Sequence, residues 1–138
     1  MLNEKIQILT DKLIATYLAK GVQPSDIADT VFEDNYVDMS LSKKNNLLTM
    51  TFTFEELDDE GQLVVNVMRY TYNEAKQLNR VEQKVGKSRY KVQWDRYDDL
   101  MSTLSELLSL VPSTAARESL IETLPQDLKA FTNSSIAA

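Results

Sequence analysis

Seven cations between Lys76 and Arg96 are the densest set of chemically useful side chains in this chain of 138 residues. Lys76, Arg80, Lys84, Lys87, Arg89, Lys91 and Arg96 stand there against only Glu82 and Asp95. The segment therefore carries +5, and the rest of the chain −11, within a total of −6. A surface of that sign suits an anion or an acidic partner, with Lys84, Lys87, Arg89 and Lys91 as the binding set. Tyr90 and Trp94 would add stacking on single-stranded nucleic acid, at roughly 1–3 kcal/mol per base. The alternation along Ser88–Trp94 favours a different use. It turns Tyr90, Val92 and Trp94 inward and Arg89, Lys91 and Gln93 outward, so rings and cations could not cooperate. The cations would then serve cross-strand pairs, with Glu55 or Asp38 as partners.

Most other chemistry is excluded by composition. The chain has no His and no Cys, which removes imidazole bases, thiol nucleophiles, disulfides and zinc sites of the usual ligand type. Gly21, Gly61 and Gly86 are the only glycines, where average usage would give on the order of 10. No two lie close together, so neither a P-loop nor a dinucleotide fingerprint is present. Asp26, Asp29, Glu33, Asp34 and Asp38 form an acidic run, and Glu55, Glu56, Asp58, Asp59 and Glu60 bracket a turn. Calcium needs oxygen ligands at alternating loop positions, a spacing that Asp58-Asp59-Glu60-Gly61 lacks. Paired carboxylates could still hydrolyse a glycosidic bond. Acids placed at turns and helix starts are better explained by solubility and capping. The expectation is a noncatalytic chain without cofactor or metal, with a carboxylate-only hydrolase as a distant alternative.

The elements that would position these residues follow from periodicity. Leu2, Ile6, Leu9, Leu13 and Tyr17 recur at helical spacing over residues 2–20, with Gly21 as the stop and Pro24 beyond it. A short turn over Ser25–Val31 would be capped by Ser25. Val37, Met39 and Leu41 alternate in a first strand. Leu48, Met50, Phe52 and Phe54 alternate with Thr49, Thr51 and Thr53 in a second. In the third, Leu63, Val65 and Val67 share one face and Val64, Met68, Tyr70 and Tyr72 the other, which predicts cover on both sides over part of its length. Residues 74–85 fit a helix capped by Asn73 and stopped by Gly86, and the alternation of Val81, Gln83 and Val85 makes a strand the rival; the helix is favoured on its cap and composition. A fourth strand occupies Ser88–Trp94. Asp95 would cap a helix carrying Tyr97, Leu100, Met101, Leu104, Leu107, Leu108 and Val111, ended by Pro112. A shorter helix over Thr114–Thr123 and a last turn from Pro125 through Phe131 complete the reading.

The predicted fold is α+β in two layers: an antiparallel meander of three strands plus a fourth strand, an N-terminal helix, and two or three C-terminal helices. It forms a single domain over 1–131, with a frayed tail at 132–138. No run approaches the ~20 apolar residues of a membrane span, and no signal peptide is read, so the cytoplasm is the expected compartment. The stripe at Leu107, Leu108, Leu110 and Val111 is wider than one core contact needs, which makes it a possible interface in a homodimer. The order of elements over 2–111, with the small size and acidity, resembles type III secretion chaperones. That resemblance implies a dimer that holds partly unfolded clients. The chain departs from the family in having one strand, not a pair, after Gly86. The leading expectation is therefore a protein-binding accessory factor, chaperone-like or regulatory, with nucleic-acid or anion binding through 76–96 as the alternative.

Overall fold

The computed structural model describes residues 2–126, 128 and 129. The chain is α+β, with an N-terminal helix, a five-stranded antiparallel open sheet and two C-terminal helices. It divides into two compact units: residues up to Ala19 together with those from Tyr97 onward, and Lys20–Arg96. The frayed tail expected at 132–138, and Phe131 at the end of the last predicted turn, lie outside the described residues.

The helical unit contains α1 (Leu2–Leu18), α3 (Arg96–Ser109) apart from its first residue, and α4 (Thr114–Glu122). Its core is the predicted stripe. Leu13 of α1, Leu100, Leu104 and Leu107 of α3, and Leu124 and Leu128 beyond α4 form one buried cluster, with Ile6, Leu9, Tyr17 and Leu120 packed against it. Spacings of three and four put these residues on one side of each helix. α4 starts at a Ser113 cap, whose hydroxyl accepts the Ala116 N–H at 3.1 Å. Leu128 and Lys129 both donate their N–H groups to the Pro125 carbonyl at 3.0 Å, which opens a further turn where Pro125 was expected to start one.

The sheet unit contains α2 (Pro24–Ile27), a 3₁₀ turn (Ala28–Phe32), and five strands: β1 (Tyr36–Lys44), β2 (Leu47–Leu57), β3 (Leu63–Tyr72), β4 (Leu78–Val85) and β5 (Lys91–Asp95). They lie in the order β1-β2-β3-β4-β5, each antiparallel to its neighbour. Asn45 and Asn46, at φ 52° and 64°, form the two-residue turn between β1 and β2. Two consecutive left-handed residues give the hairpin turn whose twist matches its strands, and Asn tolerates that region better than most residues. Asp58 holds the next turn, accepting the Glu60 and Gln62 N–H groups on Oδ1.

Three expectations are corrected here. Residues 78–85 form β4, not a helix, so the sheet has five strands and not four. The Asn73 side chain does accept downstream N–H groups, from Ala75 and Gln77, as a helix cap would. Lys76 then enters the left-handed region at φ 65°, and the chain turns back to pair with β3. Pairing of Val81 with Tyr70 and of Glu82 with Arg69 supplies what local helix propensity could not outweigh. Gly86, at φ 56°, serves the β4–β5 turn and donates its N–H to the Val65 carbonyl at 2.8 Å.

The second correction concerns α2. Its cap is Gln23, not Ser25, with Pro24 at the first helical position and the Asp26 carboxylate accepting the Gln23 N–H at 2.8 Å. The third concerns Gly21. α1 ends at Leu18, and Gly21 lies where the chain passes over the start of β4. The Lys20 carbonyl accepts the Leu78 N–H at 2.7 Å, and a Cβ on Gly21 would stand 2.8 Å from the Leu78 Cβ. The glycine is required by that approach and by its φ of 74°.

Candidate functional site

Register divides the sheet into two faces of different character. On one, Met50, Phe52, Tyr72 and Leu78 are buried, with Met39, Met68, Tyr70, Val81 and Trp94 packed against them. Tyr36, Phe52, Phe54 and Tyr70 add ring contacts with centroids 5.4–6.4 Å apart. The Tyr72 hydroxyl donates to the Val22 carbonyl at 2.7 Å. Burial is the main cause that pushes this phenol up to about 12, with Tyr70 and Asp26 adding to it. At one end of this face Asn66, almost fully buried, donates to Glu56 at 2.8 Å and accepts from Gln83 at 3.1 Å. That chain of polar side chains across three strands satisfies each buried group and fixes register.

The other face carries the threonines of β2. Thr51 lies opposite Arg69, which lies opposite Glu82. Arg69 Nε donates to Glu82 Oε1 at 3.0 Å and Nη2 to Oε2 at 2.9 Å, a two-pronged pair. The bond to Arg69 holds the Glu82 carboxyl below its usual range and raises the guanidinium. The Tyr90 ring lies under the same guanidinium, 3.8 Å from Cζ to the ring centre, and Lys84 Nζ is 5.8 Å from that centre. Arg80, next along this face, donates from Nε to Asp95 Oδ2 at 2.8 Å.

Rings and cations were expected on opposite sides of the last strand; Tyr90 and Lys91 do lie on opposite faces, but Trp94 shares its face with Lys91, and Tyr90 meets cations of β3 and β4. β5 pairs Trp94 with Val81 and Val92 with Glu82, so Gln93 is an extra residue in the ladder. Such a bulge reverses the alternation across it. Trp94 joins the apolar cluster while Val92 and Tyr90 fall on the threonine face beside Arg69. The cross-strand partners also differ from Glu55 and Asp38: Glu82 takes Arg69 from outside the basic segment, and Arg80 takes Asp95 from inside it.

The four cations singled out in the sequence do not share one face. Lys84 lies opposite Val67 on the threonine face, and Lys91 opposite Gln83 on the other. Lys87 and Arg89 are exposed in the β4–β5 turn. Of the proposed interface residues, Leu107 and Val111 are buried, Leu108 packs against the helical core, and Leu110 is half-buried.

The sequence put Leu63, Val65 and Val67 on one face of the third strand, but not that this face lies on the side of the threonines or that Leu57 joins it. Leu57 and Leu63 are directly opposed across β2 and β3, and Val65 follows on the same face. They are 68%, 62% and 41% exposed. The third strand is therefore open at this end of the face, while Val67 further along it is half-buried, in keeping with cover over part of its length. Glu55, opposite Val65, and Asp58, Asp59 and Glu60 in the adjoining turn border these residues with negative charge, and Lys84, opposite Val67, borders them on the β4 side. The alternation in β3 was legible; which of its two faces stayed open was not. Among the described residues no cluster of Asp and Glu is arranged to hold a metal ion, and no helix is long and apolar enough to cross a membrane. No family model, curated protein or solved structure matches the chain at a significant level.

Proposed function

We propose that this chain is a noncatalytic accessory protein of the cytoplasm that binds another protein through the threonine face of its sheet. The observation that carries the reading is the exposed apolar end of that face, Leu57, Leu63 and Val65 beside the acidic turn of Asp58, Asp59 and Glu60. Adjacent apolar side chains left open on a sheet mark a contact surface more often than a solvated one. The acidic turn at one end of them favours a partner segment whose apolar side chains are followed by Lys or Arg on that side. The Arg69–Glu82–Tyr90 group, already ordered by its own contacts, supplies a rigid polar border at low entropic cost. A chaperone-like or regulatory role fits such a surface equally well.

A photo-crosslinking side chain placed at residue 63 identifies the partner in cells, and the purified pair then gives an affinity. Leu57→Glu with Leu63→Glu is expected to weaken that affinity at least tenfold, since it buries charge at the contact centre. Binding as strong as that of the unaltered chain would refute the reading.

The alternative, nucleic-acid or anion binding through Lys84, Lys87, Arg89 and Lys91, draws on the cation–ring contacts at Tyr90. Two features weigh against it. Glu82 already takes both prongs of Arg69, and the guanidinium covers one face of the Tyr90 ring that a base would need. Retention of single-stranded DNA at low salt, falling steeply as salt rises, would favour this alternative.

A further inference from the structure

β1 is an edge of the sheet, with β2 its only strand neighbour among the described residues. The other edge, β5, is five residues long and interrupted at Gln93, features that discourage further pairing. β1 is nine residues long. Its one irregularity, between Tyr36 and Asp38, leaves Asp38–Lys44 in regular pairing with Thr53–Leu47. A two-residue hairpin turn is closed by a hydrogen-bonded pair, here Lys44 with Leu47. Counting back by twos, Asp38, Ser40, Ser42 and Lys44 bond to β2. Met39, Leu41 and Lys43 therefore aim their N–H and C=O groups away from the sheet. Leu41 is 59% exposed, although it shares a register line with the buried Met50 and with Tyr70.

We propose that β1 pairs antiparallel with β1 of a second copy of this chain, about a two-fold axis at Leu41, so that one sheet continues through both copies. The segment is complementary to itself in this register. Asp38 lies opposite Lys44 of the other copy at both ends, Ser40 opposite Ser42, Met39 opposite the aliphatic stem of Lys43, and Leu41 opposite Leu41. Each pair keeps its face, since the register preserves the alternation. Moving the axis by one residue to Ser40 sets Lys44 against Tyr36 and draws the irregular end into the ladder. Moving it to Ser42 sets Asp38 against the Asn45-Asn46 turn and crowds the lysines. Lysines on an edge usually repel a new strand; here an opposing Asp38 removes that repulsion in one register only. An edge-to-edge contact of this length buries less than a permanent dimer needs, so association is expected on the order of tens to hundreds of micromolar. The inference does not rest on the docking face at Leu57 and Leu63.

The test is sedimentation equilibrium of the full chain from about 5 μM to about 1 mM, a range that brackets a weak dimer. Asp38→Lys and Lys44→Asp are each expected to weaken dimerisation at least tenfold, and the two together to restore it to within about threefold, as for a directly opposed charge pair. Within one chain these residues lie six positions apart along a strand, about 20 Å, so restoration reports a contact between chains. Leu41→Pro removes an outward donor without taking a bond from β2 and is expected to abolish the dimer, with circular dichroism confirming the fold. A chain that stays monomeric throughout overturns the proposal. So does a dimer indifferent to the charge exchanges, or a monomer whose β1 instead takes up an extended segment of another protein.

Discussion

Tyr72 and Glu82 make the stability of this protein depend on pH in opposite directions. The Tyr72 phenol ionises near its ordinary 10.0 in the unfolded chain and only at about 12 in the fold. Its contribution is thus complete below 10 and is lost as pH rises toward 12, on the order of 2 kcal/mol. Tyr72→Phe should remove that alkaline step in denaturant titrations, at a cost of about 1 kcal/mol at neutral pH for the bond to Val22. Glu82 behaves conversely. Its carboxyl lies below the ordinary 4.5, so its contribution is present above that value and disappears as pH falls through the lowered one. Glu82→Gln should flatten the acid limb. A double-mutant cycle of Arg69→Ala with Glu82→Ala should give a coupling of about 1 kcal/mol, because Arg69 is partly solvated and screening reduces even a two-pronged pair.

Among the elements, the sheet unit depends on a few special backbone positions. Gly21→Ala should destabilise the sheet unit by about 2 kcal/mol, read from the denaturation midpoint, because the new methyl meets Leu78 while the backbone is held at positive φ. Asn46→Gly should act the other way and add about 0.5 kcal/mol, since glycine holds the left-handed region without penalty. β2 and α3 were legible because each carries a long period of one kind: alternating Thr with Leu, Met or Phe in β2, and leucines three and four apart in α3. β4 was not. Asn73 and Gly86 serve hairpin turns with the same chemistry they would use to bound a helix, so local signals were satisfied by both readings. The strand is selected by β3, whose Tyr70 and Arg69 lie opposite Val81 and Glu82. β5 was found, but the bulge at Gln93 was not, and with it went the correct side for Tyr90.

For the molecule as a whole, the division at Ala19/Lys20 and Arg96/Tyr97 makes the sheet unit one continuous stretch of chain with its own buried cluster. A fragment of residues 20–96 is expected to fold by itself and to unfold in a single cooperative step by circular dichroism; a gradual, non-cooperative melt would show that it needs the rest of the chain. The amino-acid sequence by itself determined the class of fold, the helical stripes and the absence of thiol, imidazole and clustered glycine, because these depend on local period or on composition. Only the tertiary structure decided which cations meet which carboxylates, which face of β3 remains open, and that Lys84 and Lys91 lie on opposite sides of the sheet. The physical reason is that a strand has two equivalent faces and two edges. Which of them is buried is settled by register and bulges contributed by neighbours distant in the chain.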